Sequence, residues 1–195
     1  MGTLVLVEFV TLDGVMQGFG SPDEDRDGGF EHGGWGNQYM DGSQADSSVE
    51  GLNSTTAYLF GRGTYEKMIQ FWPHQSDANP MAAHLNASPK FVVTSTLSDD
   101  DLTWNNTHVL DGDVDEAVRS LKAANGGNVV VLGSWTLTEH LIRNDHVDEY
   151  RIFLHPLVMG IGKRLFRPLP SPQYLRLVDA SPTSTGVLRL RYARA

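Results

Sequence analysis

Two short stretches place glycine, hydroxyl and cationic residues where the chain turns from strand to helix, an arrangement suited to binding an anion. In the first, the apolar run Tyr58-Leu59-Phe60 breaks at Gly61-Arg62-Gly63 and resumes with helical spacing from Thr64. The two glycines let the backbone turn sharply and approach a bound group. The first N–H groups of the new helix then point outward with the positive end of its dipole. Arg62, inside the turn, adds a planar, permanently charged fork whose geometry suits phosphate. An ordinary strand-to-helix turn with a solvent-facing arginine fits the same residues equally well. In the second stretch, Asn128 to Leu132 reads as a buried strand, and Gly133-Ser134 opens a helix from Trp135 to about Ile142. The arrangement repeats, and with it a second backbone anion seat at Gly133 and Ser134.

Side chains that could move protons are sparse. Glu8 interrupts the otherwise apolar run Thr3 to Val10 and either faces a cleft or marks an edge position. Seven histidines are scattered without HExxH or another ligand spacing, so no metal site is expected. His32, beside Gly33 and Gly34, is either a proton donor or a surface histidine. Asp23, Asp25, Asp27 and Gly28 match the first half of a calcium loop, but Gly34 stands where the bidentate glutamate belongs. That stretch reads as an acidic solvated loop. Phe30 and Trp35 flank the glycines and would be costly to leave in water, so they either pin the loop to the core or wall a ligand pocket. The absence of Cys removes thiol nucleophiles and Cys-ligated metals, and no Gly-x-Ser-x-Gly elbow or Walker loop appears.

These residues need elements to hold them. With 195 residues the chain fits one domain spanning 1–195, large enough for a substantial core. Strands are expected at Thr3 to Val10, Tyr58 to Phe60, Lys90 to Ser95, His108 to Leu110, Asn128 to Leu132 and Val147 to Leu154. A terminal hairpin of Tyr174 to Asp179 and Val187 to Tyr192 follows. Helices are expected from Trp35 to about Asn53, Thr64 to about Phe71, Asp113 to Asn125 and Trp135 to Ile142, with a short helical turn around Met81 to Leu85. Phe71-Trp72-Pro73 is expected to cover the core. This order predicts an α/β fold of three layers, α/β/α, with a mixed, mostly parallel central sheet and an antiparallel C-terminal hairpin. The net charge of -9 argues against nucleic acid as a partner. No signal-like segment or apolar run of bilayer length occurs, which leads us to expect a cytoplasmic protein with no membrane partner.

With these segments placed, the sequence resembles the dihydrofolate reductase-like superfamily. The nearest branch holds the C-terminal reductase domain of the bifunctional riboflavin-biosynthesis deaminase/reductase and its stand-alone relatives. The resemblance is carried by Thr11-Leu12-Asp13-Gly14-Val15, Gly61-Arg62-Gly63-Thr64-Tyr65-Glu66, Val92-Val93-Thr94-Ser95 and Val131-Leu132-Gly133-Ser134. It continues through Val147-Asp148-Glu149-Tyr150 and His155-Pro156 to Gly160-Ile161-Gly162-Lys163-Arg164-Leu165-Phe166. It implies an NADPH site. Gly61, Arg62, Gly63 and Thr64 bind the phosphate region, with Arg62 near the adenosine 2′-phosphate. Thr94 and Ser95 lie by the adenosine, and Gly133, Ser134, Trp135 and Thr136 hold the pyrophosphate. Val7 to Met16 line the nicotinamide.

The resemblance also implies a hydride transfer from NADPH to a small planar heterocycle, pteridine- or pyrimidine-like, at a C=N or C=O bond. Phe30 and Trp35 are the expected substrate contacts. Folate-reducing members protonate with a carboxylate on the first helix, and Asp41 and Asp46 lie in that region but in no recognisable motif. Glu8, His32 and Asp41 are alternative proton sources, with a water as a further alternative. The riboflavin-pathway reductase recognises a ribityl phosphate with basic residues, whereas the loop here is acidic. A phosphorylated substrate fits only if Lys163 and Arg164 reach the pocket. Related proteins are commonly homodimers, and Val147 to Phe166 is the segment expected to supply that interface. A non-catalytic nucleotide- or small-molecule-binding protein on the same fold is the alternative reading.

Overall fold

The computed structural model describes residues 1–40 and 51–195. Its centre is an eight-stranded sheet of β1 (Thr3–Thr11), β2 (Thr55–Gly61), β3 (Lys90–Val93), β4 (Thr107–Leu110), β5 (Asn128–Leu132), β6 (Glu149–His155), β7 (Leu175–Pro182) and β8 (Leu188–Arg194). The spatial order is β4-β3-β2-β5-β1-β6-β8-β7. The six strands from β4 to β6 are parallel, and β8 and β7 add antiparallel pairs at one edge.

Alternation along the strands divides the core in two. Leu4, Leu6 and Val10 of β1, with Val129 and Val131 of β5, face α3 (Val114–Ala124) and α4 (Trp135–Arg143), meeting Val118, Leu121, Leu137 and Leu141. On the opposite face Val5, Tyr58, Phe60 and Val130 meet Tyr65 of α1 (Arg62–Met68) and Leu85 of α2 (Pro80–Ala87). Period-two alternation thus serves two cores at once, which is why β1 and β5 are apolar on both faces. Burying each of these large side chains stabilises the fold by about 1.5–3 kcal/mol. The α/β/α architecture with an antiparallel C-terminal pair is as expected.

Several boundaries differ for local reasons. Of the helix expected from Trp35 to about Asn53, Asn37–Tyr39 forms a 3-10 turn and Gly51 and Leu52 are helical, while 41–50 lies outside the described residues. The helical turn around Met81 is a full helix, because Asn79 caps it with hydrogen bonds from Met81 and Ala82 N–H groups and Pro80 suits its first turn. β3 ends at Val93, since the Thr94 hydroxyl accepts the N–H groups of Thr96 and Leu97 and turns the chain. Phe71 does not cover the core. It is 54% exposed, and Trp72 alone of that pair packs partly onto the second cluster. Among the described residues no helix is long and apolar enough to cross a membrane.

Candidate functional site

β2 and β5 are neighbours, yet the chain leaves their C-terminal ends in opposite directions, toward β3 on one side and past β1 to β6 on the other. The helices that follow, α1 and α4, cover opposite faces of the sheet. Such a switch point opens a crevice beyond the strand ends, where α/β folds bind ligands. Both glycine turns lie there and are locked together. A Cβ on Gly61 would come within 2.4 Å of the Ser134 hydroxyl, and one on Gly133 within 2.9 Å of the Thr64 hydroxyl. Gly133 also has φ of 63°. Larger residues at either position would push the turns apart.

The outer side of this joined pair is open. A Cβ on Gly63 meets nothing within 4 Å, and neither α1 nor α4 is capped by a side chain, so backbone donors remain for a ligand. Arg62 is half exposed and only 3.8 Å from Glu66. Thr136 is exposed, whereas the Trp135 indole donates to the Arg164 carbonyl at 2.9 Å. Thr94 and Ser95 follow β3 at the same C-terminal end of the parallel strands.

Glu8 lies between the turns and the core. Its register on β1 carries it just past Val7, the partner of Leu132, so its Oε1 receives the Gly133 N–H at 3.0 Å. The side chain is buried. Burial pushes its pKa up to about 8; the Gly133 hydrogen bond opposes this and the Glu24 charge adds to it. At neutral pH the carboxyl therefore holds a proton.

A cleft of about 600 Å³ is walled by Phe30, Trp135 and Phe166 and by Lys163, Arg164 and Arg167; Trp135, at the start of α4, is the residue it shares with the glycine turns, and Glu8 is not part of its wall. The acidic loop is not simply solvated. The Lys163 ammonium holds Asp25 at 2.8 Å and Asp27 at 2.7 Å, and Gln17 donates to the Asp25 and Asp27 carbonyls. Burial would raise the Asp25 pKa, but the Lys163 hydrogen bond and its neighbours outweigh it and hold that carboxylate below its ordinary range. Of the three carboxylates that match half a calcium template, Asp25 and Asp27 thus receive a lysine and Asp23 pairs with Arg26. Asp13 ties the turn after β1 to the glycine turn that leads to the cleft wall, accepting the Thr11 hydroxyl at 2.7 Å and the Met159 and Gly160 N–H groups at 2.9 Å.

Phe30 and Trp35 play separate parts. Phe30 lines the cleft, close to Gly18 and Gly162. Trp35 is buried, donates to the Gln17 carbonyl at 2.7 Å and packs edge-on against Phe19 and His155. Those rings join Phe9, Phe153 and Tyr39 in one cluster. Its centre is His155, whose Nδ1 lies 2.9 Å from the Phe153 carbonyl and 3.2 Å from that of Val10, so the proton resides on Nδ1. Trp35 therefore pins the loop. His32 is exposed and rests edge-on against Phe30, and Asp41 lies outside the described residues. Asp13, Gln17, Arg167 and His155 are site-forming residues whose partners are distant in sequence, and only the Lys163-Arg164 pair in a glycine turn was a signal for that wall.

The chain has relatives in sequence and in fold. YyaP and YwjB of Bacillus subtilis (strain 168), both named as uncharacterized proteins, are 27% identical to this chain over 144 and 141 residues. Those stretches cover 72% and 70% of this chain and 75% and 72% of the relatives. The fold is similar to that of a riboflavin-biosynthesis candidate from Shewanella sp. PV-4, with a TM-score of 0.75, 18% identity and 99% of each chain covered. It is also similar to that of a pyrimidine reductase-like protein from Corynebacterium diphtheriae, with a TM-score of 0.61, 10% identity, and 99% of this chain and 92% of that one covered. Likenesses at such identities speak for the fold alone. The model of the RibD C-terminal domain family matches residues 3–189, a stretch holding both joined turns, Glu8 and the cleft, and the chain belongs to that family.

Proposed function

We propose that this protein is an NADPH-dependent reductase of a small planar heterocycle with a C=N or C=O bond, working as a cytoplasmic homodimer built of one domain per chain. The observation that carries this reading is the locked pair of turns, Gly61 to Ser134 and Gly133 to Thr64, with the protonated Glu8 hydrogen-bonded to Gly133. A dinucleotide suits the open outer face of that pair. Gly63 leaves its backbone bare, two helix starts lack capping side chains, and Arg62 is half exposed with a long 3.8 Å ion pair to Glu66. Gly61, Arg62, Gly63 and Thr64 would hold the phosphate end, Thr94 and Ser95 the adenosine side, and Gly133, Ser134, Trp135 and Thr136 the pyrophosphate.

When bound, NADPH supplies the hydride. Glu8 supplies the proton: its carboxyl is protonated at neutral pH and sits at the turn shared by the cofactor seat and the core. Phe30 lines the cleft and excludes water from the reacting bond, and Trp35 holds the loop that carries Phe30 in place. Exposed Val158, Ile161 and Phe166 in the segment from Val147 to Phe166 offer apolar surface to a second copy.

The test is a calorimetric titration with NADPH and NADH, repeated with Arg62→Ala. NADPH should bind more tightly than NADH, and the variant should lose about tenfold in NADPH affinity while keeping its NADH affinity. Absence of binding by either nucleotide would sink the reading.

A further inference from the structure

The cleft has three cations on its wall, and each faces carboxylates of its own chain. Lys163 is held by Asp25 at 2.8 Å and Asp27 at 2.7 Å, and Arg164 lies 3.4 Å from Asp13. Arg167 is paired with Glu139 and stacked 4.0 Å from the centre of the Trp135 ring. Glu139 is shared with Arg143, so these three cations and Arg143 meet four carboxylates, and the wall carries no surplus positive charge. Relying on the reductase reading for the reaction, we infer that the cleft takes an uncharged planar substrate and turns away one that bears a phosphate.

The geometry of Lys163 is the centre of this argument. Two of its three N–H bonds point at Asp25 and Asp27, and the ammonium lies 5.5 Å from the centre of the Trp135 ring. An incoming phosphate must displace a carboxylate or lie beside two of them, and like-charge juxtaposition is how a site rejects a competing ligand. The bond network is also braced. The Lys163 N–H donates to the Gln17 side chain at 3.0 Å, and that same side chain donates to the Asp25 and Asp27 carbonyls, so the loop and the glycine turn hold the pairing from both sides. The Phe30, Trp135 and Phe166 rings leave an aromatic wall suited to a flat, uncharged ring system.

Inorganic phosphate is the probe, titrated calorimetrically into the wild-type protein, Lys163→Gln, the pair Asp25→Asn with Asp27→Asn, and that pair with Lys163→Gln added. Wild type and Lys163→Gln should bind phosphate equally weakly. The double variant should gain at least about tenfold in affinity, the scale of one charge-assisted hydrogen bond, and adding Lys163→Gln should remove the gain. If the double variant does not fold, Asp27→Asn alone serves, because that side chain is 78% exposed. Wild-type protein binding phosphate tenfold more tightly than Lys163→Gln overturns the inference, and so does a freed Lys163 that gains nothing. NADPH affinity measured on the same samples reports on the turns at β2 and β5, so its absence would overturn the reductase reading and leave the phosphate result standing.

Discussion

The Glu8 carboxyl on β1 accepts, through Oε1, a 3.0 Å hydrogen bond from the backbone N–H of Gly133, at the end of the neighbouring strand β5. This contact joins the buried acid to the glycine turn proposed to hold the cofactor. A shift of that turn moves the partner of the acid, and a change in the protonation of the acid alters the turn.

Glu8 is expected to set the pH dependence of both activity and stability. Its folded pKa of about 8 lies above the ordinary 4.5, so between those values the folded protein binds more protons than the unfolded chain. Stability from this group is therefore full at low pH and falls as pH rises toward about 8. Glu8→Gln should abolish that slope and exceed the wild type in stability above pH 8, by a margin on the order of a few kcal/mol. Reduction should slow as pH rises through about 8 in the wild type, and the variant should lose roughly a hundredfold or more in kcat with a flat profile. Urea unfolding and NADPH oxidation across pH check both; an unchanged activity profile in the variant removes Glu8 from the reaction.

The locked turns predict a specific rescue. Gly61→Ala places a Cβ 2.4 Å from the Ser134 Oγ and 2.9 Å from its Cβ, and should cost about 1–3 kcal/mol. Ser134→Ala removes the nearer atom and leaves the second, so it should restore stability only in part, whereas Ser134→Gly should relieve both contacts. A double-mutant cycle by thermal unfolding measures the coupling. Additive costs would mean that the turns relax independently.

Much of this architecture is legible in the residues themselves. The apolar runs of β2 and β5 and their glycine stops announce a buried parallel sheet with ligand-ready ends, because both depend on neighbours a few positions away. What is illegible is pairing across distance. Lys163 meets Asp25 across 138 positions, and that partner converts an apparently solvated acidic loop into a clamped wall. The ring cluster around His155 likewise assembles from β1, β6 and the long loop, so Trp35 could not be separated from Phe30 by spacing. Helix α2 is a different case. Asn79 and Pro80 are proper start signals, but its apolar stripe is too weak to extend the reading past one turn.

Asp13 should stabilise the cleft in a pH-dependent way opposite to Glu8. Burial would raise its pKa, but hydrogen bonds from Thr11, Met159, Gly160 and Arg164 outweigh this and hold the carboxyl well below the usual carboxylate range. Its contribution is present above the ordinary 3.8 and is lost as pH falls below it. Asp13→Ala should cost about 1–3 kcal/mol at neutral pH by leaving the Met159 and Gly160 N–H groups without their acceptor. The gap to wild type should narrow in acid. Denaturant midpoints at neutral and acidic pH test this, and a gap independent of pH would show that the lost clamp is not ionic.

Lys90 supplies the last test, at a position away from the site. It is fully buried at the start of β3, where its ammonium donates to the Leu85 carbonyl at 2.7 Å and the Ser88 carbonyl at 2.8 Å and lies 4.8 Å from the Trp104 ring centre. These bonds close the C-terminal end of α2. Burial pushes the pKa down to about 8 from 10.5, so between those values the unfolded chain binds more protons than the folded one. Stability from this group therefore rises as pH rises across that window. Lys90→Met keeps the volume of the stem, removes the charge and leaves two carbonyls without their donor, for a cost of about 1–3 kcal/mol at neutral pH. Above about pH 9 the Glu8 penalty is nearly complete, so the wild-type slope there belongs largely to Lys90. Urea unfolding of both proteins between pH values of about 9 and 10 should show stability rising in the wild type and level in the variant. Equal slopes would mean that Lys90 keeps its proton throughout and that its contacts with α2 outweigh the penalty of burial.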